Sequence, residues 1–172
     1  MEKPEQEVDV FVDLELSDLL RANLWYRYSK RSTKFGNAVA AALTLLFALF
    51  VSIKAIPATY LLLPLGIWLL EGLIFLVIVI ETKKNYGVLK DFQTKVQYHL
   101  NSEGYTVRDG KTSANVSWDS ILSAVESKHS LNLFIGRTLF VVLPKRCFNT
   151  TADLETTRAI LKTALPGKAK LA

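Results

Sequence analysis

Residues Phe35 to Ile53 read FGNAVAAALTLLFALFVSI, and residues Thr59 to Ile80 read TYLLLPLGIWLLEGLIFLVIVI. The first run holds 19 residues and no charge, and the second holds 22 with one charge, Glu71. At about 1.5 Å rise per residue, roughly 20 apolar residues cross a hydrocarbon core of about 30 Å, so both runs are long enough to span. Only Lys54 to Ala58 lie between them, and Pro57 interrupts any continuous helix. The reading is a transmembrane hairpin with spans over 35–53 and 59–80.

The flanks weigh against two blander readings. A cleaved leader has a short charged lead and an apolar stretch of about 7–15 residues, whereas 34 residues precede the first run here. Two buried helices of a soluble core would not need the girdle that surrounds the runs. Arg21, Arg27, Lys30, Arg31 and Lys34 precede the first, interleaved with Trp25, Tyr26 and Tyr28, and Lys83, Lys84 and Tyr86 follow the second. Snorkelling cations and amphipathic aromatics suit a headgroup layer. Five basic residues between Arg21 and Lys34 and four between Lys83 and Lys95, against Lys54 alone in the loop, place both termini in the cytoplasm. The lone Cys147 agrees with a reducing compartment, where the Asn115 and Asn149 glycosylation triplets are chance matches.

Composition excludes other classes. The 172 residues carry 21 Lys+Arg and 16 Asp+Glu, a formal charge of +5, with 50% hydrophobic residues and a mean hydropathy of +0.23. Neither intrinsic disorder nor a nucleic-acid arm fits that balance. Residues 1–18 hold seven acids against one lysine, while residues 85–172 hold 12 bases against seven acids. A basic C-terminal part beside an anionic leaflet gains roughly 1 kcal/mol per nearby cation.

The remaining sequence reads as an α+β domain. Val8, Val10, Val12, Leu14 and Leu16 alternate with polar residues and Phe11, one half-buried strand within segment 1–18. Ser17-Asp18 supplies an N-cap for a basic interfacial helix over 19–34, which runs into the first span and gathers Arg27, Lys30, Arg31 and Lys34 on one face. A linker or helix extension over 81–94 leads to strands at Val96 to Leu100, Tyr105 to Val107, Ala114 to Trp118, Leu122 to Glu126, Leu131 to Ile135 and Thr138 to Leu143. This is a meander of short strands with turns at 101–104 and 108–111. A helix follows over Asp153 to Leu165. Together they predict a cytoplasmic, pleckstrin-homology-like antiparallel half-barrel over 95–166 with a closing helix, a tail over 167–172, and the first strand on the open edge of the sheet.

This order, with Ser117-Trp118-Asp119-Ser120-Ile121, the strand Leu131-Asn132-Leu133-Phe134-Ile135, and Phe140 to Phe148 containing Pro144-Lys145-Arg146, resembles the YcxB-like membrane proteins of bacteria. The resemblance covers nearly the whole chain. It implies a C-terminal domain similar to bacterial pleckstrin-homology domains and a multi-pass inner-membrane address, and it brings no reaction with it.

The residues also argue against catalysis. His99 and His129 have no Cys or carboxylate at ligand spacing, Cys147 has no orienting His nearby in sequence, and no phosphate loop or hydrolase motif occurs, so neither cofactor nor metal is expected. Trp118 reads as a core aromatic. Glu71 needs a partner, because a carboxylate inside a span is costly; folding the hairpin about Ile56 places it beside Ala41 and within a turn of Thr44 and Asn37. An intrahairpin hydrogen bond, an oligomer contact and an ion path all remain open for it. Small-xxx-small patterns at Gly36, Ala40 and Thr44, and at Ala38 and Ala42, allow close helix contact. Arg27, Lys30, Arg31, Lys34, Lys145 and Arg146 are the candidate contacts for the bilayer, an anionic headgroup or a protein partner, though Lys145 and Arg146 could instead pair with Asp153 or Glu155. The expected function is a membrane-anchored, non-catalytic binding or regulatory module; the alternative is a homo-oligomeric membrane effector or transport-related subunit built on the Glu71 hairpin.

Overall fold

The computed structural model describes residues 6–92, 96–110 and 112–171. Residues 1–5 of the N-terminal segment, positions 93–94 of the expected linker, Lys95 and Lys111 lie outside the described residues. The chain divides into two units, Asn23–Lys84 and the described residues on either side of that stretch.

The apolar runs lie on helices. In chain order these are α1 (Leu16–Ser29), α2 (Arg31–Ser52) and α3 (Leu62–Phe92). The helix expected to pass from Ser17 into the first run is broken at Lys30, whose backbone is extended (φ −61°, ψ 132°). Ser29, Ser32 and Thr33 surround the break, and such side chains compete with a helix for backbone hydrogen bonds. The spacing that predicted a four-cation face therefore no longer applies, because it gathers a face only along one unbroken helix. The N-cap also differs: Asp18 Oδ2 accepts the Glu15 N–H at 3.1 Å, so the helix starts at Leu16 ahead of Ser17.

α2 closes with Lys54 in the left-handed region (φ 57°), where Ala55 N–H reaches Phe50 O and Lys54 N–H reaches Val51 O, each at 2.9 Å. That pattern satisfies carbonyls left over at a helix end. A 3-10 turn over Ala58–Leu61 follows Pro57, so α3 starts three residues later than the predicted span. Pro64 sits in its first turn, where its missing N–H breaks no helical bond. The helix does not stop at Ile80 but continues to Phe92, 31 residues and about 46 Å. Both α2 and the Ala58–Val88 stretch are long and apolar enough to cross a membrane. Their apolar side chains are turned outward: Phe35 is 72% exposed, Leu45 73% and Leu69 66%.

The other unit is a two-sheet domain. β1 (Val8–Val12), β2 (Val96–Leu100), β3 (Gly104–Arg108) and β4 (Ser113–Ser117) form one antiparallel sheet in that order. β1 takes an edge of the sheet as expected, and there it pairs with β2, with Val8 opposite Leu100 and Val12 opposite Val96. It is shorter than the sequence reading, since α1 takes over Leu16. Val8, Val10 and Val12 point inward while Asp9 and Phe11 point out. At the β3–β4 pairing, a Cβ on Gly104 would lie 2.2 Å from Val116 O, so only glycine allows the strands to meet there.

The expected single meander breaks after β4. A 3-10 turn over Trp118–Ser120 carries the chain to a second sheet of β5 (Ser123–Glu126), β6 (Ser130–Phe134), β7 (Phe140–Pro144) and β8 (Ala169–Lys170), ordered β7-β6-β5-β8. Buried Trp118 fixes that turn by donating Nε1–H to Asn101 O at 2.9 Å. β8 lies in the segment read as a tail; it pairs in parallel with β5, a two-residue match too short for alternation to reveal. α4 (Thr151–Ala164) starts at a capping box between Thr150 and Asp153 and buries Thr157, Ile160 and Leu161. The shared core joins Val10, Leu100, Tyr105, Trp118, Ile121, Leu131, Leu133, Leu143, Leu161 and Leu165.

Candidate functional site

The second sheet places the Pro144-Lys145-Arg146 corner first. Pro144 ends β7, and Lys145–Cys147 form a 3-10 turn. Both cations form ion pairs within the domain, and neither pairs with the acids expected from sequence. Lys145 Nζ pairs with Glu126, whose side chain is only 3% exposed and which also takes Arg158 Nε at 3.0 Å. Glu155 pairs with Arg158 instead. Arg146 Nη2 donates to Asp18 Oδ2 at 2.6 Å and to Asp13 O at 2.7 Å, with Glu15 at 3.3 Å. The hydrogen bond to buried Asp18 holds the guanidinium above its ordinary range. The corner is thus an internal clamp joining the end of β7 to the β1–α1 connection.

The same region bears on reactivity. Burial pushes the Cys147 thiol up despite the neighbouring Arg146, so a reactive thiolate is disfavoured. His99 Nδ1 lies 3.0 Å from Asp9 and its Nε2 3.8 Å from Glu7, a cross-strand pairing on the exposed face of β1 and β2. Among the described residues no three His, Cys, Asp or Glu side chains converge as a metal would need.

A second charged cluster lies in the helical unit. Arg27 Nη2 reaches Glu71 Oε1 at 3.5 Å, and Arg27 Nη1 reaches Thr33 Oγ1 at 3.4 Å. Beside them is a cleft of about 360 Å³ lined by Arg27, Ser32, Thr33, Asn37, Glu71 and the small or apolar Gly36, Ala40 and Ile67. Asn37 does face Glu71's cleft, but Thr44 does not bond the carboxylate: its hydroxyl donates to Ala40 O at 2.8 Å and accepts Trp68 Nε1–H at 3.1 Å. An uncharged hydroxyl inside a helix finds its own i−4 carbonyl, which leaves Glu71 to the cation. Two buried atoms of the ion pair, Arg27 Nε and Glu71 Oε2, lack a hydrogen-bond partner among the described residues.

The remaining sequence candidates stay outside this cluster. Lys30 Nζ sits 4.0 Å over the Tyr26 ring, and Arg31 and Lys34 are exposed at the start of α2. Ser32 and Thr33 gave no signal because the helix was expected to run unbroken through them, whereas it restarts at Arg31. Arg27 was assigned to the bilayer because its spacing matched Lys30 and Lys34, although one acid inside an apolar run is the signal that a cation must meet it.

Comparison with known proteins touches the two-sheet domain alone. Neither a curated protein nor a solved structure matches the chain. The model of the YcxB-like protein family matches residues 100–161, from the end of β2 to α4. The Trp118 turn, the β6 strand and the Pro144 corner that carry the resemblance all lie inside the matched stretch, and over residues 100–161 the chain is similar to the YcxB-like protein family.

Proposed function

We propose that the chain is a membrane-anchored, non-catalytic binding or regulatory module. α2 and α3 cross the bacterial inner membrane as a hairpin, both termini are cytoplasmic, and the two-sheet domain acts at the inner face. The outward display of apolar side chains from Phe35 to Ile53 and from Leu62 to Ile80 carries this reading, because a water-soluble protein rarely leaves so large an apolar surface uncovered. The order of one four-stranded sheet, a second sheet and a closing helix supports a pleckstrin-homology-like domain. With Lys145 and Arg146 engaged internally, the contacts left for anionic headgroups are Lys30, Arg31 and Lys34.

A second reading, a hairpin that itself binds a solute or a further copy of the chain, is favoured by the Arg27–Glu71 cleft. Fractionation of expressing cells separates anchoring from its absence. The chain should stay in the membrane pellet through alkaline carbonate and leave it with detergent; release by carbonate alone would reject the anchor. Loss of cellular activity on altering only the sheet domain would then favour the first reading, and loss on replacing Glu71 in a folded chain the second.

A further inference from the structure

The Arg27–Glu71 pair is an open fork. A guanidinium and a carboxylate that meet side-on make two parallel bonds at roughly 2.7–2.9 Å, using Nε and Nη2 together. Here one bond forms, at 3.5 Å, while Nε and the second carboxylate oxygen find no partner among the described residues although both atoms are buried. Leaving such groups unmet is costly, more so for charged ones than for neutral ones. Next to the fork, Ser32 and Asn37 line the cleft and make no side-chain hydrogen bond among the described residues.

The two unmet atoms have opposite requirements. Arg27 Nε–H needs an acceptor, best an anionic oxygen, and Glu71 Oε2 needs a donor, best an ammonium N–H. A simple anion would face Glu71, and a simple cation would face Arg27. We infer that the cleft takes a small amphoteric group carrying an anionic oxyacid and a primary ammonium a few ångströms apart, which opens the fork and bridges it. Rotation of the carboxylate about its last bond exchanges its two oxygens with little hindrance, so a ligand lying in the cleft gains access to Glu71 without moving a helix. Ser32 and Asn37, each both donor and acceptor, complete the shell. The group can arrive as a free solute or as the phosphoethanolamine headgroup of a lipid. The lipid source rests on the membrane reading above, and the solute source does not.

The test is calorimetric titration of the full chain in micelles with O-phosphoethanolamine, phosphocholine, inorganic phosphate and ethanolamine. Phosphoethanolamine should bind at least tenfold tighter than phosphate or ethanolamine alone. It should also beat phosphocholine, which has the same charges but no N–H for Glu71. Glu71→Gln and Arg27→Gln should each weaken binding at least tenfold, and Ala40→Leu, which fills the cleft and leaves the pair in place, should abolish it without lowering the melting temperature. Retention of phosphatidylethanolamine over phosphatidylcholine from mixed nanodiscs, lost in Ala40→Leu, identifies a lipid source; binding of the free probe with no lipid preference identifies a solute. Equal binding of the four probes, binding unaffected by all three variants, or no binding of either probe or lipid overturns the inference and leaves a fork that closes on itself. A chain that needs no detergent defeats the membrane reading, and the same titration run in buffer still decides the solute arm.

Discussion

Replacing Arg146 with Met should loosen the two-sheet domain by about 2 kcal/mol. Removing one member of a buried ion pair costs roughly 3–5 kcal/mol, because the charge left behind is neither paired nor hydrated. The loss is smaller here for two reasons: the Arg146 side chain is 43% exposed against 6% for Asp18, and Asp18 keeps the Glu15 N–H at 3.1 Å. In a unit of this size the change corresponds to a fall of roughly 8 °C in melting temperature. Hydrogen exchange of the full chain in detergent localises it. Amides of residues 8–20 should exchange faster in Arg146→Met, since the guanidinium also holds Asp13 O, while those of α2 stay unchanged. A cycle with Asp18→Asn should give a coupling of about 1–2 kcal/mol. Melting within about 1 °C of the parent, or additive single variants, would refute the clamp and return Arg146 to the pool of surface cations.

Gly104→Ala should cost about 2–3 kcal/mol, because the added methyl meets Val116 O at 2.2 Å and the β3–β4 pairing must open; thermal unfolding and amide exchange over 104–117 measure it. The domain should also weaken in alkali. Burial, aided by Tyr105, pushes the Tyr98 hydroxyl up to about 12 from the ordinary 10, so the folded state holds that proton more tightly than the unfolded state. Its contribution is whole below about pH 10 and is lost as pH rises through about 12, a difference of roughly 3 kcal/mol that Tyr98→Phe should largely remove from the stability–pH curve.

How legible each part was depends on whether its cause is local. The apolar runs and the alternation of Val8, Val10 and Val12 are local patterns, and α2, α3 and β1 appear on them, though α3 runs on to Phe92 and β1 ends at Val12. The Trp118 turn was legible as a motif but not as the switch between sheets, because its anchor, the Asn101 carbonyl, lies 17 residues away. β8 has two residues and no period to read. Asn132, 1% exposed in the central strand β6, gave no signal either: Ser130 lies two residues away on the same strand, but the Val125 carbonyl that accepts its amide becomes a neighbour only once β5 and β6 pair. The partners of three candidate cations were hidden for the same reason. Spacing groups cations that share a helix, but the acids that claim Arg27, Lys145 and Arg146 are Glu71, Glu126 and Asp18, which only the fold brings near them.

The central claim is a hairpin anchored in the membrane with both termini inside the cell. Its most direct test uses Cys147→Ser as background and places single cysteines at Thr59, in the turn between α2 and α3, and at Lys170, in β8. Intact bacterial cells expressing each variant are treated with a membrane-impermeant maleimide. Thr59→Cys should label in whole cells, and Lys170→Cys should label only after the membrane is opened; labelling of Lys170→Cys in intact cells, or protection of Thr59→Cys until lysis, would contradict the account.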